Sequence, residues 1–358
     1  MKPITIVGAL MGLCGVIFAA MFAGTGFLAQ GRSERASVPM LWSASAVFAP
    51  IAILVALYYR IADFDRSIPF ADNVDAQIFF VARMPRVLTG AVVGATLATA
   101  GVVMQALLRN PLATPFTLGV SAGAALGAIL VITFGAGVTV GVLSPVPVAS
   151  LAGALLAAAI VYALATRPGR TISTAVLLLA GVTLNSFFSA LILFVQYMAD
   201  FTQTYRTVRW LMGDLDVGSF EPIVASLPLV LLAFAMFAVL PRSLNLLSVG
   251  ADSASTRGVD VARTQRLAFL SSSLATSAAV SLAGPIGFVG IVVPHLVRLM
   301  VGVDHRLVLP ASALFGAAFL VGCDLVARTV LAPVEVPVGV VTAMLGGPFF
   351  LWLLVRKS

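Results

Sequence analysis

Residues 83–127 read RMPRVLTGAVVGATLATAGVVMQALLRNPLATPFTLGVSAGAALG and decide the fold class. Between Met84 and Leu108 the one charged residue is Arg86, and the run exceeds the roughly 20 apolar residues that cross a bilayer as a helix. A second apolar run follows, in which glycines recur every four residues at 119, 123 and 127. Small residues at this spacing share one helix face and let membrane helices approach closely. The stretch therefore predicts two spanning helices in a tightly packed bundle.

The composition of the whole chain agrees with this interpretation. Of 358 residues, 60% are hydrophobic and 10% are charged, against about 25% charged in an average soluble domain. A single soluble core cannot absorb this surplus, because such cores stop growing beyond roughly 250–300 residues. Disordered chains are poor in hydrophobic residues and are excluded as well. We therefore predict an all-α, polytopic membrane protein.

Further apolar runs extend the prediction over most of the chain. The predicted spans are 4–29, 43–60, 84–108, 116–134, 145–165, 172–198, 222–240, 267–284, 286–301, 308–330 and 336–355. If the C-terminus is cytoplasmic, most Lys and Arg residues fall in cytoplasmic loops, as the positive-inside rule requires. The net charge of +7 then belongs to those loops and needs no nucleic-acid partner. The run at 1–30 starts like a signal peptide but is long for one, so we interpret it as an uncleaved extra helix.

Scarce residue types exclude some chemistry. The two lysines, Lys2 and Lys357, are terminal, whereas a phosphate-binding P-loop needs a lysine behind a glycine-rich turn. If ATP drives this protein, ATP and Mg²⁺ are bound by another chain, and we expect no cofactor on this one. Cys14 and Cys323 lie in apolar stretches and are interpreted as small buried hydrophobic residues.

Four segments occurring in order carry a family resemblance. They are residues 83–127 quoted above, LLLAGVTLN at 177–185, GPIGFVGIVVPHLVRLMVGVDHRLVLP at 284–310 and VEVPVGVVTAMLGGPFFLWLLVRK at 334–357. Together they resemble the FecCD family of bacterial ABC importer permeases, which are relatives of the cobalamin importer's membrane subunit. The resemblance covers residues 43–358, a transmembrane permease domain, and leaves 1–42 as an N-terminal extension.

This resemblance implies an architecture and a set of partners. It implies a ten-helix bundle with inverted halves, multi-pass in the bacterial inner membrane, with both termini cytoplasmic. Two copies form a homodimer with the substrate pathway at their interface. Two cytoplasmic ATPase subunits drive transport, and a periplasmic binding protein delivers the substrate. The extension 1–42 departs from this pattern, since a single extra span places the N-terminus outside.

Arginines at the outer side are the candidates for docking the binding protein. Arg83 and Arg86 lie three residues apart at the start of a helix, where their guanidinium groups can pair with carboxylates. From the residues alone they could equally snorkel or pair with Asp72 and Asp75. By resemblance, Arg83, Arg86 and Arg328 receive glutamates of the binding protein. Asp324 is an intramembrane acid that can pair with Arg328 at i+4.

The longest cytoplasmic loop, residues 243–267, contains a candidate coupling segment. Gly250 and Gly258 bracket a short predicted helix, which Asp252 or Ser253 could cap. The default interpretation is a solvated loop, but by resemblance this is the part that seats in the ATPase. The residues concerned are Gly250, Ala251, Asp252, Ser253, Ser255, Arg257 and Gly258.

The substrate pathway is assigned to one polar stripe. Asn185, Ser189 and Gln196 share a face of the helix predicted at 172–198, either as interhelical hydrogen-bond partners or as a pathway lining. By resemblance this helix lines the pathway, and Met104 and Gln105 also face it. Residues 209–222 resemble the short outer helix that gates it.

Two other function classes compete with an ATP-driven importer. A stand-alone secondary transporter would need more intramembrane acids for an ion relay. A membrane enzyme would need a polar cluster of catalytic groups, which His295 and His305 do not supply; we expect structural or gating roles for them. Within the importer class we favour an iron chelate, a ferric siderophore or haem, because such substrates dominate the family, with cobalamin as the alternative.

Overall fold

The computed structural model describes residues 74–135, 144–166 and 172–357, and within these ranges the chain is helical without strands. A short helix α1 (Val74–Gln77) and a π-helical turn (Ile78–Arg83) lead into α2. The helices that follow are α2 (Met84–Leu108), α3 (Val120–Phe134), α4 (Pro145–Ala165), α5 (Thr174–Met198), α6 (Phe201–Leu211), α7 (Glu221–Ala238), α8 (Pro241–Val249), α9 (Ala251–Thr256), α10 (Val261–Ala283), α11 (Val289–Val301), α12 (His305–Thr329) and α13 (Val338–Lys357).

The predicted spans coincide with the helices. Six helices of the described part are long and apolar enough to cross a membrane, and three shorter apolar helices accompany them. The predicted bounds 84–108 and 145–165 are those of α2 and α4. The all-α, polytopic prediction is thus confirmed. The predicted spans 4–29 and 43–60 and the extension 1–42 lie outside the described residues.

Helix α2 runs through the centre of the bundle, packed between α10, α11 and α12. Glycines let the backbone of α2 contact the backbones of α11 and α12 directly. A Cβ atom added to Gly94 would lie 2.2 Å from the carbonyl oxygen of Gly316 on α12. One added to Gly101 would lie 2.1 Å from the carbonyl oxygen of Gly290 on α11. Neither position has room for a side chain, so the glycines set the helix spacing.

The second glycine row packs α3 against α4. A Cβ atom on Gly123 would lie 2.5 Å from the carbonyl oxygen of Gly153, and one on Gly127 would lie 2.1 Å from that of Ala149. Both rows therefore serve packing inside the subunit, which is the use of small residues expected between membrane helices.

Burial differs sharply between the spanning helices. In the most apolar stretch of α2 and of α10, 78% of the residues are buried, whereas in that of α5 only 22% are buried. Helix α10 is rich in buried hydroxyls, and some of them return to their own backbone, as when Ser277 Oγ donates to the carbonyl of Ser273 at 2.7 Å. Helix α5 instead presents apolar side chains such as Leu179 and Phe194 outward. Its outer face is available to lipid or to another chain.

Candidate functional sites at the two ends of the bundle

An ion network ties α2 to α12 at the end of the bundle that the sequence predicts to face outward, which is called the outer end below. Arg86 Nε donates to Asp324 Oδ1 at 3.0 Å, and Arg86 Nη2 lies 2.9 Å from the same oxygen. Arg328 Nε lies 3.0 Å from Asp324 Oδ2, one helical turn along α12, although the angle is unsuited to a hydrogen bond. Glu335, in the loop before α13, accepts a 2.7 Å hydrogen bond from Arg86 Nη1.

The network combines residues of the first and last parts of the described chain. The side chain of Asp324 is 2% exposed, and those of Arg86 and Arg328 are 11% and 12% exposed. Carboxylates at this depth need such partners, because a buried unpaired charge is costly. The predicted pair of Asp324 with Arg328 is confirmed. Glu335 was missed, since it lies far from Arg86 along the chain and its sequence context points to no partner.

The three arginines predicted to dock the binding protein lie in two different environments. Arg86 and Arg328 converge on Asp324, whereas Arg83 ends the π-helical turn one turn before Arg86 and is half-buried. Asp72 and the side chain of Asp75, the alternative partners, lie outside the described residues. Docking by these arginines stays a prediction, and two of them already neutralise carboxylates inside the subunit.

The short outer helix α6 begins earlier than predicted. Asp200 Oδ1 accepts from the backbone N–H of Gln203, and Gln203 Oε1 accepts from the N–H of Asp200, which forms a capping box. The helix ends at Leu211, and Gly213 adopts a left-handed φ of 79°. The assignment of this helix to 209–222 is therefore wrong in position. Residues 213–217 are non-helical, and the N–H of Asp214 donates to the carbonyl of Ala283 at the end of α10.

A cavity of about 540 Å³ opens between α6 and the start of α13 at this outer end. Its lining combines charged and apolar side chains. The charged ones are Arg86, Arg209, Asp214 and Glu335. Beside the cavity, α13 packs tightly on the end of α6, since a Cβ atom on Gly339 would lie 2.2 Å from the carbonyl oxygen of Met212. The ion network and the outer helix thus share one solvent-accessible space.

At the opposite end, the predicted coupling helix is present as α9. Its C-terminal signal is as predicted: the N–H of Gly258 donates to Ser255, that of Val259 donates to Ala254, and Gly258 has a φ of 82°. The capping prediction is wrong, because Gly250 is the N-cap residue and no side chain caps α9. Ala254 is fully buried against α8 and α10, whereas Asp252, Ser253, Ser255 and Arg257 are exposed.

A polar clamp joins α8 to the start of α12. Asn245 Oδ1 lies 2.6 Å from His305 Nδ1 and accepts from the His305 N–H at 2.9 Å. Its Nδ2 donates to Asp304 Oδ1 at 2.6 Å. The backbone N–H of Arg306 and this amide hold the pKa of Asp304 below its ordinary value. His295 packs edge-on against Phe349, with ring centroids 5.9 Å apart.

The predicted pathway residues fall into two environments. Asn185 and Ser189 are exposed on α5, and Gln196 is half-buried there. Met104 is fully buried inside the subunit, and Gln105 is 4% exposed. Gln105 donates to the carbonyl of Gly290 at 3.0 Å and accepts from Arg298 Nη1. The single chain thus shows α5 facing outward and α2 facing inward, and a pathway role for all five residues stays a prediction.

Comparison with known proteins defines the class. The model of the FecCD transport family matches residues 40–356. The cobalamin import system permease protein of Halobacterium salinarum is 48% identical over 272 residues, which cover 76% of this chain and 72% of that one. The hemin transport system permease protein of Yersinia pestis is 41% identical over 277 residues, 77% of this chain and 82% of that one.

A solved structure extends the likeness to three dimensions. It is assigned to the metal-chelate type of ABC transporter, in an inward-facing conformation. It matches with a TM-score of 0.77 and 33% identity, over 89% of this chain and all of that one.

The bundle and its relatives together define a multi-pass inner-membrane permease subunit of an ABC importer of the metal-chelate, cobalamin or haem type. The chain belongs to the FecCD transport family. In such systems the ATPase is a separate subunit, which agrees with the P-loop argument from the two terminal lysines.

Proposed function

We propose that two copies of this chain form the translocation pathway of an ATP-driven importer, and that it carries an iron chelate, a ferric siderophore or haem, into the cytoplasm. A periplasmic binding protein delivers the chelate to the outer end, and two ATPase subunits seat on α9. The alternative within this mechanism is cobalamin, which the relative from Halobacterium salinarum carries in its name.

One continuous structural path supports alternating access. The exposed helix α9 is joined through Gly258 to α10, whose first turn is capped by Asp260. Helix α10 crosses the bundle, and its last residue, Ala283, accepts a hydrogen bond from Asp214 beside the outer helix α6. A Cβ atom on the next residue, Gly284, would lie 2.5 Å from the carbonyl oxygen of Trp210. A displacement of α9 would therefore reach α6 through one buried helix.

The exposure of α5 supports a pathway between two copies. The side chains of Leu193, Phe194 and Tyr197 are 66%, 61% and 89% exposed. Asn185 and Ser189 add amide and hydroxyl groups to this helix, which carries no charged residue. A lining of this kind suits the organic surface of a chelate better than a bare metal cation, which prefers carboxylates and imidazoles.

Transport by the assembled complex tests the proposal. The permease, its ATPase and its binding protein would be reconstituted in vesicles, and uptake of haem, a ferric siderophore and cobalamin would be measured with and without ATP. We expect ATP-dependent uptake of an iron chelate and little of cobalamin. Preferential cobalamin uptake would select the alternative, and uptake without ATPase would contradict the mechanism.

Charge reversal at Arg83 tests docking without removing a partner of Asp324. Charge reversal at Arg86 or Arg328 would also disrupt the pairs with Asp324, so loss of binding there would have two explanations. Arg83→Glu leaves those pairs in place. We expect weaker binding of the binding protein and a stronger dependence on salt. Unchanged affinity would contradict a docking role for Arg83.

A further inference from the structure

The guanidinium group of Arg86 is divided between two carboxylates that differ in accessibility. Its Nε and Nη2 atoms face Asp324, whose side chain is 2% exposed. Its Nη1 atom, at the opposite corner, donates to Glu335, whose side chain is 51% exposed. The inner contact is closed to an incoming group, whereas the outer contact borders the cavity of about 540 Å³.

The charges of this network cancel. Arg86 and Arg328 supply two positive charges, and Asp324 and Glu335 supply two negative charges. With Glu335 in place, the network therefore adds no net positive charge to the outer surface. The network nevertheless retains an unused hydrogen-bond donor, because Nη2 of Arg328 has no hydrogen-bond partner in the described part of the chain.

Glu335 is also the member most easily displaced. It lies in the loop between α12 and α13, directly after the turn in which the Val334 N–H donates to the carbonyl of Leu331. Half-exposed ion pairs contribute little to stability because water solvates both partners. Asp324, in contrast, is held by two arginines from two helices.

We propose that Glu335 is an intramolecular competitor of the docking partner. It holds the Nη1 corner of Arg86 that a carboxylate of an acidic protein surface would take, so docking exchanges one carboxylate for another. The inference rests on the proposed docking of a binding protein at this end. The released Glu335 has Arg209 as a further cation on the wall of the same cavity.

Exchange of this kind weakens the docked complex and favours its release. Each docking event first breaks the ion pair between Arg86 and Glu335. The cost of displacing the internal carboxylate therefore reduces the binding free energy of the complex. Removing the charge of Glu335 should therefore strengthen docking, whereas most changes within a docking surface weaken it.

The test measures affinity of the complete transporter, in lipid nanodiscs, for its binding protein at low and physiological salt. Glu335→Gln should tighten binding about 2- to 5-fold, which is the range of a partly exposed charge pair. Glu221→Gln is the matched control, because it removes an exposed carboxylate outside the network. In an Arg86→Gln background, Glu335→Gln should give no gain.

The outcomes separate the inference from the proposed function. If the wild type binds and Glu335→Gln is unchanged or weaker, Glu335 is no competitor, and docking itself stands. An equal gain in Glu221→Gln would overturn the inference in favour of general surface charge. If neither the wild type nor Glu335→Gln binds, the proposed docking fails. Size-exclusion profiles and melting temperatures verify that each variant is folded.

Discussion

Gly94 of α2 and Gly316 of α12 meet backbone to backbone: a Cβ atom on Gly94 would lie 2.2 Å from the Gly316 carbonyl oxygen and 2.8 Å from Leu320 Cβ. Real Cβ atoms do not approach backbone atoms so closely, so the two helices would have to separate. The same two helices carry Arg86 and Asp324, and their spacing therefore also sets the geometry of the outer ion network.

We expect Gly94→Ala to destabilise the protein by about 1–3 kcal/mol, the usual cost of overpacking a core. The melting temperature of the purified permease measures this. Gly322→Ala on α12 is the control, since nothing lies within 4 Å of a Cβ atom there. Alanine should be neutral or slightly stabilising at Gly322, because it lowers the entropy of the unfolded chain. Equal melting temperatures for both variants would contradict the close approach.

Asp324→Asn should destabilise the outer end strongly. It removes the carboxylate shared by Arg86 and Arg328, and breaking a buried ion pair costs roughly 3–5 kcal/mol. Thermal unfolding in detergent measures the loss. Asp214→Asn is the control, because its pair with Arg209 is 3.1 Å long and both side chains are partly exposed. An exposed pair of this kind contributes about 0–1 kcal/mol, so comparable losses would argue against a special role for Asp324.

Cysteines at Ser253 and Ser255 should cross-link to the ATPase in the assembled complex. Both side chains are exposed on α9, while Ala254 between them is buried and fixes the helix. The native residues Cys14 and Cys323 would first be replaced by serine. A cysteine at Ser144, exposed before α4 at the predicted outer side, is the control and should give no product. Absence of a product at 253 and 255 would count against α9 as the coupling helix.

Gly258→Ala should lower transport more than it lowers stability. Nothing lies within 4 Å of a Cβ atom at Gly258, so the penalty comes from its φ of 82°, which costs a non-glycine residue about 1–2 kcal/mol. Relief of this strain would change the angle between α9 and α10. Gly258→Asn should be milder, because asparagine tolerates left-handed backbone. The ratio of substrate transported to ATP hydrolysed measures coupling, and an unchanged ratio in Gly258→Ala would show that the backbone conformation of Gly258 does not affect coupling.

Local patterns predicted the helices and the end of α9 correctly, but contacts between distant segments escaped prediction. The run from Met84 to Leu108 could be delimited from its apolar residues, and Gly258 could be recognised as a helix terminator. The family resemblance predicts the outer helix at 209–222, whereas the capping box of Asp200 and Gln203 starts the helix at Phe201. Glu335 and Arg86 are 249 positions apart in the sequence, and a periodic pattern of residues cannot predict a contact between segments so far apart.

The amino-acid sequence by itself determined that this protein is a bundle of membrane helices and, through its motifs, which family it belongs to. Long apolar runs in lipid must satisfy their backbone hydrogen bonds within the segment, and this leaves the helix as the outcome. Only the tertiary structure decided which glycine meets which backbone, and which arginines are neutralised inside the subunit. These contacts depend on how helices distant along the chain pack, and hydrogen bonding within a helix does not encode the identity of its neighbour.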